Sequence, residues 1–286
     1  MTAPTARIPT SMPTSMPIRF HARSTIAVAV VSTVGIVAFG WPFLRHGTAA
    51  MHSGGVAHAG DAPWIFVAVL PLLLLVVLAE IADGGIDAKA IAMLGVLTAC
   101  GAALRTLGGG VTGVSPVFFL LMPAGRVLGR GFGFTLGALT LFGSALLTGG
   151  VGPWLPFQML AAGWVGLFAG CLPQASGRLE IFLLAIYGAV AGLAYGAVTD
   201  LWFWPFGTTG LSAQISYVPG AGWLTQAHHF WAFYLATSLG TDVPRAIGNA
   251  VLVLVAGRPV LLALRRAARK AAFGAPVRFD EVTSPS

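Results

Sequence analysis

Three features of this 286-residue chain predict an all-α polytopic membrane protein: a mean hydropathy of +0.84, only 9% charged residues, and a series of apolar stretches near crossing length, parted by short Gly-, Pro- or Arg-marked turns. A soluble domain of this size needs far more charge to cover its surface. The expected layout has eight crossings with both termini cytoplasmic. A tail over 1–23 is followed by an extra N-terminal transmembrane pair over 24–87, a six-helix core over 88–270 and a second tail over 271–286.

The residues justify each element in turn. Residues 1–23 are rich in Pro, Ser, Thr and Met and carry Arg7, Arg19 and Arg23, so they read as a disordered cytoplasmic tail. Ser24–Leu44 is the first apolar run, longer than an ordinary signal-peptide core, which favours a retained helix; a cleaved signal is the rival reading, since Thr48-Ala49-Ala50 follows. Loop 45–62 holds His46, His52 and His58 at spacings that match no metal motif. Trp64–Ile81 and Ala88–Leu107 are the next two helices, the latter with Arg105 at its outer end. The glycine-rich loop 108–113 lacks the Lys-Ser/Thr pair of a phosphate loop.

Pro116–Leu128 is short for a crossing, and Gly131–Leu147 follows it. Gly125, Gly129, Gly133 and Gly137 recur at steps of four; a turn near Arg130 divides them into two close-packing faces. Gly149–Gly170 reads as an inner helix opened by Pro153, with Trp154, Gln158 and Trp164 among small residues. An amide in hydrocarbon requires a partner, so Gln158 points to a polar neighbour. Ile181–Asp200 carries Gly188, Gly192 and Gly196 on one face. An aromatic outer segment spans 201–222, without Lys or Arg.

Within 224–239, Ala227, Phe230, Trp231, Tyr234 and Leu235 fall on one helical face, and His228 and His229 lie off it. This segment is expected to lie over the outer interface, because a further crossing would place the Arg-rich C-terminus outside. Asp242 then caps a last helix, Val243–Leu264. In this layout 13 of the 16 Lys and Arg fall inside, and only Arg45, Arg105 and Arg245 at outer ends.

The net charge of +7 does not indicate nucleic acid: its basic residues cluster at helix ends, with no nucleic-acid motif beside them. Cys100 and Cys171 fit neither a metal site nor a disulfide scaffold. There is no HExxH, GxSxG or Walker motif and no pair of matched carboxylates, so no enzyme chemistry, cofactor or metal is expected. Without a nucleotide site the chain cannot drive uphill transport alone. The polar and aromatic residues that converge on the outer face are Arg105, Trp154, Gln158, Asp200, Trp202, Trp204, His228 and His229, a set suited to a small planar or amphipathic ligand. Interface anchoring by the tryptophans and snorkelling by Arg105 are the plainer alternatives.

The segment SPVFFLLMPAGRVLG, then GF and GALT, followed by GGVGPWLPFQMLAAGWVGLFAG, resembles the third-to-fourth helix passage of the substrate-binding S components of energy-coupling factor (ECF) importers, actinobacterial type. The six-helix core and the spaced alanines Ala88-xxx-Ala92 and Ala99-xxx-Ala103 are similar to those proteins too. The resemblance implies an S-component-like core that binds a vitamin or related micronutrient at the outer face. It further implies a coupling membrane subunit docked on the face of Ala88, Ala92 and Ala99, and two cytoplasmic ATPase subunits that supply the energy. The N-terminal pair departs from the six-helix pattern. A scaffold protein without a small-molecule ligand, and a stand-alone carrier or channel, are the competing functions.

Overall fold

The computed structural model describes residues 22–44, 88–108, 115–207 and 211–271. The expected helix 64–81, the histidine loop, most of the glycine loop and both tails fall outside these residues. Among the described residues the elements are helical: α1 (Ala22–Leu44), α2 (Ala88–Gly108), α3 (Val117–Leu128), α4 (Arg130–Thr148), α5 (Leu155–Ala169), α6 (Gly177–Gly207), α7 (Trp223–Thr237) and α8 (Leu239–Ala271). Among the described residues four stretches are long and apolar enough to cross a membrane: Lys89–Thr106, Arg130–Thr148, Gly177–Pro205 and Leu239–Lys270. The shorter α3 and α5 are largely buried among the others. A helix of 12 residues covers only about 18 Å, and the irregular backbone at its ends is tolerable in a bilayer because protein surrounds it.

Backbone contact at glycine sets the centre of the bundle. Gly129 breaks the chain between α3 and α4 with φ 104°, a conformation that side chains other than glycine rarely adopt. The two glycine faces expected from the sequence converge on one partner, α5. A Cβ at Gly125 would lie 2.0 Å from the Gly166 carbonyl oxygen, and one at Gly137 would lie 2.3 Å from that of Ala162. Neither obstacle is a movable side chain. A second seam joins α6 to α8, where Gly188, Gly192 and Gly196 lie against Asn249, Ala246 and Asp242.

Several boundaries differ from expectation. Helix α5 starts at Leu155 with Pro156 in its first turn, and Pro153 belongs to the preceding turn. Helix α6 runs past Asp200 to Gly207, so Trp202 and Trp204 are helical rather than part of an outer loop; Pro205 lies close enough to the end to be accommodated. Helix α8 begins at Leu239, which puts Asp242 inside its first turn instead of at a cap. Helix α7 buries Gln226, Phe230, Phe233 and Tyr234, while Trp231 and Leu235 face outward. Apolar spacing misplaced the face because both sides of α7 are apolar and only packing selects one.

Polar side chains gather at the two ends of the bundle. At one end Glu180 is 3% exposed and accepts hydrogen bonds from Arg126 Nε (3.0 Å) and Arg265 Nη2 (2.6 Å), tying α6 to α3 and α8. Arg126 also donates to the Leu172 carbonyl at 2.7 Å. Arg105, Gln158, Asp200 and Asp242 lie toward the other end.

Candidate functional site

At the Arg105 end, a cavity of about 490 Å³ lies between the start of α5 and the end of α6. Trp154 borders it at the residue before α5, and Phe157 and Gln158 from α5 itself; Thr199, Asp200, Trp202, Phe203 and Gly207 border it from α6. The late start of α5 and the extension of α6 bring these residues side by side. The aromatic walls brace one another. Trp202 meets Phe157 with ring centroids 5.8 Å apart and Trp154 at 6.3 Å in an edge-on pair. Trp154 is also fixed by its indole N–H, which donates to the Gly150 carbonyl at 3.2 Å.

The partner required by Gln158 is Arg105. Its guanidinium donates from Nη2 to Gln158 Oε1 at 2.9 Å and from Nη1 to Ser144 Oγ at 2.8 Å, linking α2, α4 and α5 behind the cavity. Arg105 is therefore a support for a wall rather than a wall itself. Asp200 borders the cavity; its Oδ2 is buried without a hydrogen-bond partner, and the Ser238 hydroxyl lies beside its carboxylate. Thr199 spends its hydroxyl on the Tyr195 and Gly196 carbonyls of its own helix.

Trp204, His228 and His229 do not border this cavity. Trp204 is fully buried in an aromatic cluster with Phe43, Tyr217 and Phe230, and its indole N–H donates to the Ile215 carbonyl at 2.8 Å. His229 Nδ1 bonds the Ser216 carbonyl at 2.9 Å, and His228 is exposed. Both α7 and its preceding loop are held by Gln226, 1% exposed, which pairs with both backbone groups of Val218. That clamp was not anticipated; a glutamine amid Trp, Leu and Phe was its only signal.

A second unforeseen feature is the buried pair of Asp242 and Arg245, one turn apart on α8. Arg245 lies 5.7 Å from the Tyr195 ring centre and reaches the Gly192 carbonyl at 3.4 Å, while Asn249 Nδ2 donates to Gly188 at 3.2 Å. These bonds follow the glycine face of α6, where missing side chains leave carbonyls accessible. The long helices thus carry Glu180, Asp200 and Asp242, each toward a helix end.

The family described as ECF transporter, substrate-specific component, matches residues 89–257, more than half of the chain. The protein belongs to this family. It is a multi-pass membrane protein of the S-component class, whose members are the binding subunits of ECF importers and not enzymes. Neither the curated proteins nor the solved structures contain a match. The matched span starts at the second residue of α2 and ends within α8, so it contains every wall of the cavity and leaves α1 outside. In this S component α1 nevertheless packs on the core: Trp164 donates to Ser32 Oγ at 2.9 Å, and Phe39 and Phe157 meet edge-on at 4.9 Å.

Proposed function

We propose that this S component captures a vitamin or related micronutrient in the cavity between α5 and α6 and passes it inward with the help of separate coupling and ATPase subunits. The observation that carries this reading is the convergence of four aromatic rings, an amide and a carboxylate on one cavity in a chain of this family. Gln158, Trp154, Asp200 and Trp202 are its contact residues, with Arg105 behind Gln158. Trp204, His228 and His229 belong to the cover over that end and not to the pocket wall. The Glu180 end is cytoplasmic, because Arg126, Arg178, Arg265, Arg266, Arg269 and Lys270 gather there. The cavity then opens toward the exterior of the cell membrane, and both termini are cytoplasmic.

The test is to purify the protein and extract any bound compound for mass spectrometry, with thermal shifts across a micronutrient panel. Gln158→Leu is expected to weaken binding about tenfold or more, since it removes a polar contact and strands Arg105; Trp154→Ala is expected to weaken it as well. An empty protein with no thermal shift would favour a scaffold. Uptake by the isolated protein in liposomes without ATP would favour a stand-alone carrier.

Docking of the coupling subunit is assigned to α2. Ala92, Ala99 and Ala103 are exposed there, and a Cβ at Gly95 would meet nothing within 4 Å. Small side chains permit close helix approach in lipid, where apolar association gains little from water exclusion. Ala92→Trp is expected to leave substrate affinity within about twofold and to lower ATP-dependent uptake by the reconstituted complex at least about tenfold, the bulky ring blocking close packing. Loss of substrate binding with normal complex assembly would contradict that assignment.

A further inference from the structure

The polar groups of the cavity have fixed and opposite senses. Gln158 alone could turn its amide either way. Arginine has only donors, so Arg105 can be satisfied only by the amide oxygen. The Gln158 NH2 group is thereby left as the donor available to the cavity. Asp200 supplies the acceptor. The charge of Arg245 reaches Asp200, but Arg245 is paired with Asp242, so among the described residues Asp200 has no cation of its own. A carboxylate in a partly buried, apolar setting is stabilised by a positive partner. Trp154, Phe157, Trp202 and Phe203 surround the space with π faces, which attract cations as well as flat rings.

We infer that the substrate is a flat nitrogen heterocycle that is cationic or carries a protonated amine: Asp200 takes its N–H or positive charge, Gln158 donates to an acceptor on the ring, and Arg105 is the positioning residue that holds Gln158 in the donating sense. This rests on the binding reading above and narrows it to one chemical class. A volume of about 490 Å³ suits a ring system of two or three rings with substituents, within the range of small-molecule pockets. An anionic ligand would meet the Asp200 carboxylate with no compensating cation among the described residues that line the cavity.

The inference is tested on the full chain in lipid nanodiscs by tryptophan-fluorescence titration, with two flat probes of similar size: 2,4-diaminoquinazoline, which is protonated at ring nitrogen N1 at neutral pH and keeps N3 as an acceptor, and quinaldine-4-carboxylate. The cationic probe is expected to bind at least about tenfold more tightly, the scale of a charge-assisted contact. Asp200→Asn is expected to remove most of that preference. Arg105→Met is expected to reduce affinity for the diaminoquinazoline, whose N3 accepts from Gln158, while the preference for cation over anion persists, because the charge reader is intact. Equal or tighter binding of the carboxylate, or a cation preference insensitive to Asp200→Asn, overturns the assigned class and leaves the binding reading standing. Failure of both probes, together with no extractable compound and no thermal shift from the micronutrient panel, overturns both.

Discussion

Gly166→Val is expected to abolish the folded bundle, with the protein lost to aggregation on fluorescence-detected size exclusion. A Cβ at this position would lie 2.1 Å from the Gly133 carbonyl oxygen and 2.5 Å from its carbon. The clash is with backbone, so no rotamer change relieves it, and α4 would have to leave α5. Even Gly166→Ala is expected to exceed the roughly 1–3 kcal/mol typical of overpacking. The informative control is Gly95→Ala. That glycine is also helical, but its Cβ would meet nothing within 4 Å, so the substitution is expected to be neutral or to raise the melting temperature slightly through helix propensity. Equal effects at the two positions would mean that propensity, and not helix approach, governs both.

Glu180→Ala is expected to produce the largest loss of stability among substitutions of charged residues. The carboxylate is 3% exposed and is shared by Arg126 and Arg265. Its removal leaves Arg126, with an 11% exposed side chain, holding only the Leu172 carbonyl. Stranding a buried charge in this way costs about 3–5 kcal/mol. Arg265→Ala is expected to cost much less, because Arg265 is 37% exposed and reaches water on its own. The pair of variants is read by thermal unfolding in detergent. A larger shift for Arg265→Ala than for Glu180→Ala would show that α8, and not the buried carboxylate, is the dependent element. The brace is remote from the cavity, so substrate affinity of the surviving Glu180→Gln protein is expected to be unchanged.

The partial legibility of the site has a physical basis. Gln158 stood out because an amide among Leu, Phe and Met has few reasons to exist in a membrane helix, and it did find a polar partner, Arg105. That the two were each other's partners could not be seen: they are separated by more than fifty residues, and the contact depends on the register of α2 against α5. Asp200 and Trp202 were visible as polar and aromatic signals near a helix end, and the extension of α6 to Gly207 brings them opposite α5. Trp204 is only two residues from Trp202, but that step turns it by about 200° around the helix and sends it into the cluster with Tyr217 and Phe230. His228 and His229 stand out in the sequence only by their chemistry, and their helix follows a loop that His229 helps to hold.

By itself the sequence determined the class of protein, the positions of most helices and the glycine seams. These depend on local quantities: hydropathy summed over a crossing, the conformational freedom of glycine and the period of small residues. The tertiary structure decided which face of α7 is buried, that the Gly125 and Gly133 faces share α5, that Arg105 orients Gln158, and that Asp242 is spent on Arg245 while Asp200 is not. Each of those outcomes is a choice between chemically similar neighbours, made by distances between helices remote in sequence, and such distances leave no mark on the spacing of residues within a single helix.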